Sequence, residues 1–383
     1  MKRIKIVFSI IIILIIYVMF FVTISNNNEI STLEKRNLST YPKFTLNALI
    51  NGKYLDSLTN AFKDQLAFRN SLVKGYYLFQ FQRYNGDVVI GKNNELYSAY
   101  QRITNESKYL NNLKENTKLI NKVAKEVTNS KAKFIILSIP RKDAIEKENL
   151  PNSYISSDEI YNKSVAVVKE NLTEDVTFID AYQIFNDNKD KNIRFYYMND
   201  HHITPRGAEL LYNEIITDIN NTRVNNIELN KLYEVKKTII NGSFNNQIGQ
   251  SVKPTLEELY LVPKFKLDYV RYDDEKISNR KVYGQGNTYE EAFMEGDYGF
   301  TLVDTKREDL PNIMFVGSSF TNILETLSIH DFNKMVSIDY RHNKSNNDIL
   351  YYVKKYDIDY VVYIPSQSND AFSNTKVKEH LGY

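Results

Sequence analysis

The sequence predicts an α/β fold in which helices cover both faces of a mainly parallel sheet, preceded by a transmembrane helix. Three observations predict this arrangement. Short, continuously apolar segments recur along the chain, as expected of parallel strands that are buried on both faces. Segments with helical periodicity separate them, which is the alternation of an α/β domain. An uncharged N-terminal run is long enough to cross a bilayer.

The N-terminal run, residues 6–24, predicts a single membrane anchor. Basic residues occur before it, within residues 1–5, whereas asparagines and Glu29 follow it. The positive-inside bias therefore places residues 1–5 in the cytoplasm and everything after residue 25 outside. A cleaved signal peptide is the alternative, but its apolar region would be shorter, and Thr23-Ile24-Ser25 is a poor match to a cleavage site.

After the anchor, residues 25–60 are polar and predict a stalk, and residues 61–383 predict the α/β domain. Helical periodicity predicts helices over residues 54–81, 110–127, 157–171, 206–219, 319–329 and 345–355. Short apolar runs predict strands at residues 133–139, 175–179, 312–316, 334–338 and 358–364. Residues 225–300 break this alternation and are interpreted as an insertion that decorates the core.

Composition excludes several classes of function. The 49 basic and 47 acidic residues give a net charge of +2, which is too even for a nucleic-acid binder. Cysteine is absent, which excludes disulfides, thiolate metal sites and a cysteine nucleophile. The 29 tyrosines would allow stacking on sugars, for example by Tyr196 and Tyr197, although most tyrosines are expected to fill the core or the surface.

A carboxylate and two imidazoles precede the helix predicted at residues 206–219. The segment is Asp200-His201-His202, and Thr204 and Pro205 behind it are a favourable N-cap and first helical residue. Residues two apart in an extended loop point the same way. Asp200 and His202 are therefore predicted to share one side of the loop.

A second polar segment, Gly317-Ser318-Ser319, follows the apolar run at 312–316. Glycine allows a tight turn, after which the Ser319 hydroxyl would lie at the sheet edge beside helix N-terminal amides able to bind an oxyanion. Ser318 is the alternative nucleophile. The two segments, on two predicted strand-end loops, supply the acid, imidazole and hydroxyl of a serine hydrolase or acyltransferase.

Each segment also has a simpler interpretation. An Asp-x-His sequence is often only a loop hydrogen bond, and Gly-Ser-Ser before a helix is often only an N-cap. A metal site formed by Asp200, His201 and His202 is a third possibility, although the sequence offers no further ligand cluster with suitable spacing. We expect no cofactor.

These motifs resemble those of the DHHW proteins, relatives of the alginate O-acetylation proteins of the AlgX and AlgJ type within the SGNH hydrolase superfamily. The resemblance covers about residues 32–365. It rests on the two segments above and on Glu34-Lys35-Arg36-Asn37-Leu38, Tyr41-Pro42, Phe62 to Arg69, Val89-Ile90-Gly91-Lys92, Glu95-Leu96-Tyr97, Pro140 and Leu150-Pro151. It implies an SGNH-like three-layer sandwich.

The resemblance assigns Asp200 as the orienting acid, His202 as the base and Ser319 as the nucleophile, with the Asp-x-His before the serine instead of after it. Two positions depart from the family. Ile203 replaces a tryptophan, which we expect to loosen the substrate wall, and Ser318 replaces an aspartate. Candidates for contacts with substrate or oxyanion are Gly317, Ser318, His201, Asn245 and Asn246.

The resemblance implies a membrane-anchored, extracytoplasmic O-acetyltransferase that acts on a cell-surface or secreted polysaccharide through an acyl-enzyme. It also implies a membrane-bound O-acyltransferase partner that exports acyl groups. A carbohydrate O-acetyl esterase would use the same three residues. The third hypothesis is a non-catalytic glycan-binding or assembly protein with a degenerate site.

Overall fold

The computed structural model describes residues 2–31, 36–82, 87–100, 102–152, 154–189, 193–229, 233–264, 266–345 and 347–365. Glu34 and Lys35 of the first family motif lie outside the described residues, as does the end of the predicted domain, 366–383. The chain divides into two compact units. The first comprises residues 1–89 and 244–253, and the second comprises residues 90–243 and 254–383.

The first unit begins with the apolar helix and continues with short elements. They are α1 (Lys2–Ser25), β1 (Ile30–Ser31), β2 (Arg36–Asn37), α2 (Leu46–Ile50), α3 (Lys53–Asp64) and α4 (Arg69–Gln82). The stretch Ile4–Ser25 has a mean hydropathy of 3.1 and is long and apolar enough to cross a membrane. The predicted stalk therefore contains α2 and most of α3.

One helix was predicted over residues 54–81, and the structure has two. The helix is interrupted between α3 and α4 because Phe68 has a φ of 57°. This left-handed conformation cannot continue a right-handed helix. The prediction of one continuous helix is therefore wrong. Helical periodicity could not show the break, because apolar residues continue across it.

Although β3 and α10 cross its boundary, the second unit contains most of the remaining elements. They are β3 (Val88–Ile90), β4 (Leu96–Ser98), α5 (Glu106–Asn129), β5 (Lys133–Ser138), α6 (Lys142–Ile145), α7 (Asp158–Asn171), β6 (Val176–Asp180), α8 (Ala181–Asp187), α9 (Pro205–Asn220), β7 (Tyr233–Ile240), α10 (Ser243–Gln247), β8 (Thr255–Pro263), β9 (Val270–Asp273), β10 (Lys276–Ser278), α11 (Tyr289–Ala292), β11 (Phe300–Asp304), β12 (Ile313–Val316), α12 (Asn322–Ser328), β13 (Lys334–Ile338), α13 (Ile349–Lys355) and β14 (Tyr360–Tyr363).

The central sheet has eight strands in the order β10-β9-β11-β13-β12-β14-β5-β6. The five strands from β13 to β6 are parallel to one another and are the five that the sequence predicts. The other three pair antiparallel at one side of the sheet. The predicted α/β fold with a mainly parallel sheet is confirmed.

Apolar residues on both faces of the sheet create its three layers. In β5, Ile135 and Leu137 pack in one core cluster, whereas Phe134 and Ile136 pack in the other. Strand residues point alternately to opposite faces. Helices α8, α9 and α12 supply residues to the first cluster, and α5 and α13 supply residues to the second.

Residues 225–300 contain more of the central sheet than a decorating insertion would. Strands β7 and β8 form a separate antiparallel pair. However, β9 and β10 extend the main sheet beyond β11. These strands escape sequence reasoning because residues such as Arg271 and Asp273 interrupt their apolar pattern, and pairing with β11 decides their conformation.

Candidate active site

The segment containing Asp200 lies in a closed loop between α8 and α9. The loop closes where Tyr197 donates its backbone N–H to the His202 carbonyl at 3.2 Å and Thr204 donates to Phe195 at 2.8 Å. The Thr204 side chain caps α9 by accepting from the Gly207 N–H, as the sequence predicts. One expectation is wrong: this loop follows helix α8 and not a strand.

Asp200, His202 and Ser319 form a continuous chain of hydrogen bonds. The Asp200 Oδ1 atom lies 2.7 Å from His202 Nδ1, and His202 Nε2 lies 2.8 Å from Ser319 Oγ. The His202 backbone N–H also donates to Asp200 Oδ1 at 2.8 Å. All three residues are buried, with relative exposures of 3%, 0% and 7%. Hydrogen bonds in such a low-dielectric setting are stronger than in water.

The second oxygen of Asp200 is fixed by a residue that the sequence analysis did not single out. The Ser243 backbone N–H donates to Asp200 Oδ2 at 2.6 Å. Burial acts to raise the pKa of Asp200, but His202 and these hydrogen bonds outweigh it and hold the pKa well below the usual value. Gly242 permits the approach, since a Cβ there would lie 2.1 Å from the Asn199 carbonyl oxygen. Asp200 is therefore an ionised acceptor with a fixed orientation.

Ser319 is presented by a tight turn at the end of β12. A Cβ on Gly317 would lie 2.8 Å from Thr321 Cγ2 and 2.9 Å from the Ile364 carbonyl oxygen, so the position requires glycine. Ser319 then starts a 3₁₀ turn that runs into α12. Ser318 is half-buried, and its carbonyl accepts from the Thr321 hydroxyl. Of the two serines, it is Ser319 whose hydroxyl meets His202.

Aromatic rings hold the His202 imidazole in its plane. Tyr289 of α11 stacks on it with ring centroids 3.8 Å apart and planes 1° apart. Phe320 and His201 lie at centroid distances of 4.9 and 3.9 Å. Tyr289 comes from residues 225–300, where no local pattern distinguishes it from the other tyrosines. Only the folded chain identifies its contact with His202.

His201 lies beside Asp200, with its Nδ1 atom 3.5 Å from Asp200 Oδ1, but it has a hydrogen-bond partner of its own. Its Nδ1 atom lies 2.7 Å from Ser243 Oγ, and its ring remains partly exposed. Desolvation and the nearby His202 lower the pKa of His201, which favours a neutral imidazole. The ligand atoms of Asp200, His201 and His202 lie within 4.8 Å of one another and could hold a metal ion. Because both nitrogens of His202 already have protein partners, the geometry fits proton transfer better than metal binding.

The other candidate residues have structural partners. The Gly317 N–H donates to the Ile338 carbonyl. The Asn245 side chain bonds the backbone of Val252 with both its amide groups, and Asn246 accepts from Gln250. The hydrogen bonds of these groups therefore stabilise the local fold.

Three residues that were expected to contact or border a substrate are buried instead. Tyr196 and Tyr197 are fully buried, so they cannot stack on a sugar. Ile203 is also fully buried in the core cluster, so it does not face substrate.

A buried cation fixes the loop that carries Asp200. The Lys142 ammonium donates to the carbonyls of Leu96, Tyr197 and Met198 at 2.8, 2.6 and 2.7 Å. It also lies 3.1 Å from Glu95 Oε1. Burial raises the pKa of Glu95, but Lys142 and Arg194 outweigh it and lower the pKa overall. In the sequence Glu95 is visible only as part of a family motif, and no local pattern marks Lys142.

Another buried acid lies on α12, the helix that follows Ser319. Glu325 of α12 accepts from the Ser337 hydroxyl of β13 and is 2% exposed. Burial raises the pKa of Glu325 to about 7, against hydrogen bonds from Ser337 and Thr321 that lower it. Its charge near neutral pH is therefore sensitive to small changes of pH.

Comparisons with known proteins agree with the geometry. The family model described as "SGNH hydrolase-like domain, acetyltransferase AlgX" matches residues 88–333. This range contains Asp200, His202 and Ser319. No curated protein matches the sequence.

Several solved structures share the fold. PatB1 from Bacillus cereus is 18% identical with a TM-score of 0.58, over 76% of this chain and 98% of that chain. The same protein with a sulfonyl adduct is 17% identical, with a TM-score of 0.60 over the same shares. A DHHW family protein from Eubacterium siraeum is 16% identical, with a TM-score of 0.58 over 76% and 93%. The predicted resemblance to DHHW and AlgX-type proteins is confirmed.

We predict that Lys142→Met destabilises the protein by about 3–5 kcal/mol, because it leaves a buried carboxylate and three carbonyls without their cation. Chemical unfolding of the detergent-solubilised chain measures this. Lys147→Met is the control, since Lys147 forms a partly exposed ion pair with Asp158 and should change stability by no more than about 1 kcal/mol. Equal effects of the two substitutions would show that the Lys142 contacts are unimportant.

We also predict that Glu325 makes stability depend on pH. Its pKa of about 7 in the folded protein is above the ordinary value of 4.5. Its contribution is therefore fully present below pH 4.5 and is lost as the pH rises through 7, by up to about 3 kcal/mol. Glu325→Gln should remove this loss. Unfolding from pH 5 to 9 compares it with wild type and with Glu308→Gln, an exposed control. A Glu325→Gln profile parallel to wild type contradicts the prediction.

Proposed function

Because this chain belongs to the AlgX family of SGNH hydrolase-like acetyltransferases, which act generally in polysaccharide O-acetylation, we propose that it is a serine O-acetyltransferase of a cell-surface or secreted polysaccharide. The observation that carries the proposal is the 2.8 Å contact between His202 Nε2 and Ser319 Oγ. It connects the hydroxyl through the imidazole to an ionised Asp200. The proposed roles are nucleophile for Ser319, base for His202 and orienting acid for Asp200.

The reaction begins when the Ser319 hydroxyl attacks the carbonyl carbon of an acyl ester. His202 Nε2 takes the hydroxyl proton, and Asp200 stabilises the resulting imidazolium through its bond to Nδ1. The backbone N–H groups of Ser319 and Phe320, at the start of the turn, are proposed to bind the oxyanion. The tetrahedral intermediate then expels the donor alcohol, which receives the proton from His202. An acetyl group remains on Ser319.

In the second half, a sugar hydroxyl attacks the acyl-enzyme. His202 removes its proton and later returns that proton to Ser319. Water in place of the sugar would give hydrolysis by the same steps. Family membership favours transfer. The acetyl donor is proposed to be loaded by a membrane-bound O-acyltransferase, which the resemblance implies.

We propose that α1 remains on the protein as a single span, with the N-terminus in the cytoplasm and the remainder outside. Support comes from the hydropathy of Ile4–Ser25 and from the basic residues directly before the apolar run, against asparagines and Glu29 directly after it. An enzyme that modifies surface polysaccharide has to face that polymer.

We expect Ser319→Ala to lower turnover of a small acetyl ester by several orders of magnitude, as removal of a triad member does. Ser318→Ala is the matched control and should lose far less, because the Ser318 side chain is not the one bonded to His202. The reaction is followed as acetate release and as acetyl transfer to added oligosaccharides. A larger loss with Ser318→Ala would overturn the assignment of the nucleophile. Acetate release without transfer to any of the oligosaccharides would favour the esterase alternative.

We expect protease added to intact spheroplasts to digest the domain and to leave a membrane-embedded N-terminal fragment, because the span is uncharged and flanked by basic residues on one side. Immunoblotting with tags at each terminus measures this, and lysed spheroplasts provide the control. A soluble mature chain that begins near Asn26 would instead identify a signal peptide. Complete protection of the chain would contradict the orientation.

A further inference from the structure

The C-terminal end of α1 is bonded directly to the turn between α3 and α4. Thr23 is 1% exposed, and its hydroxyl oxygen accepts from the Ala67 backbone N–H at 2.9 Å. The Asn26 side chain donates to the Gln65 carbonyl at 2.9 Å. The Tyr41 hydroxyl donates to the Thr23 carbonyl at 2.9 Å. These bonds place the turn and residue 41 at the end of the apolar helix.

Gln65 completes this attachment. Its side chain accepts from the Asn28 N–H at 2.8 Å and donates to the carbonyls of Asn28 and Ser39 at 2.8 and 2.9 Å. Gln65 itself is 1% exposed. A buried amide with several backbone partners holds a fixed geometry. The segment after α1 is therefore folded back on the end of the helix.

The helices beside this attachment expose large apolar side chains. Phe68, directly before α4, is 65% exposed, and Leu72 and Tyr76, four residues apart on one side of α4, are 48% and 59% exposed. Phe68 directly follows Ala67, so its Cα lies about 3.8 Å from that of a residue bonded to Thr23. Around α2 and α3 the exposed apolar residues are Phe44, Leu46, Leu49, Ile50, Leu55 and Phe62. Exposure of this many large apolar side chains in one short stretch of chain favours an interaction surface.

The polar residues around this surface fit a lipid headgroup layer. Over residues 43–76, four lysines are exposed, at positions 43, 53, 63 and 74, against one exposed acid, Asp56. Lysine side chains at a membrane surface extend their ammonium groups towards phosphates while their stems cover apolar surface. The backbone of Phe68 has the left-handed conformation, which a bulky residue rarely adopts, and its side chain is exposed.

We propose that the exposed apolar residues of α4 and of the segment around α2 insert into the headgroup–acyl boundary of the membrane that α1 spans. This inference rests on the proposed anchoring by α1. The occupant is lipid because the surface begins within one residue of the end of the span, at the depth where hydrocarbon meets headgroups. The first unit then lies on the bilayer instead of standing off on an extended stalk.

The test uses the absence of tryptophan from the chain. The full chain carrying Phe68→Trp is reconstituted into phosphatidylcholine–phosphatidylglycerol vesicles with or without brominated lipids. Asn70→Trp is the matched control, since Asn70 is exposed on the opposite side of α4. Leu72→Trp, at a position with ordinary helical geometry, replaces Phe68→Trp if that variant does not fold. Flotation of the vesicles measures anchoring separately.

We expect Phe68→Trp emission to be blue-shifted, quenched by brominated lipid and protected from iodide, with the reverse for Asn70→Trp. Flotation without lipid quenching of Phe68→Trp or Leu72→Trp overturns the proposal while leaving the anchor intact, and indicates a surface for a protein partner. Equal quenching at Asn70 also overturns it, because no face of α4 would then be preferred. Failure to float overturns the anchoring and the inference together.

Discussion

The buried ammonium group of Lys142 is the interaction on which the candidate active site depends. Three carbonyls accept hydrogen bonds from it. Two of them, those of Tyr197 and Met198, belong to the loop that carries Asp200. A buried ammonium without partners would cost several kcal/mol. Movement of the loop away from Lys142 would remove these partners and is therefore energetically unfavourable. Glu95 supplies the opposite charge and is itself held by Arg194 at 2.6 Å.

This constraint explains how two segments 117 residues apart meet at one hydrogen bond. The sheet positions Ser319, because Ser319 closely follows β12 and Gly317 allows the turn between them. The loop of Asp200 follows a helix and gains its position from side chains. In addition to Lys142, the Tyr196 hydroxyl bonds the Pro140 carbonyl just beyond β5. A rigid sheet edge and a pinned loop together preorganise the acid, the imidazole and the hydroxyl.

The first unit obeys a different constraint, which acts at the end of the apolar helix. Polar groups at the end of a helix need hydrogen-bond partners from outside the helix. Here Gln65 and Ala67 are the partners of residues 23–28. The consequence is a folded-back structure with an apolar exterior. Polar composition alone predicted a stalk in this part of the chain, because composition gives no information on which individual side chains pair.

The sequence by itself determined the five parallel strands, most of their helices and the apolar N-terminal helix, and it singled out Asp200, His202 and Ser319, whose side chains the structure brings together. These features depend on periodicity, capping and turn chemistry, which act over a few neighbouring residues. Only the tertiary structure decided which groups surround them: Tyr289 on the imidazole, Ser243 on the carboxylate, Lys142 beneath the loop, and strands β9 and β10 beside the sheet. A tyrosine, a serine or a lysine carries no local signal of its partner, because long-range packing alone brings the two together.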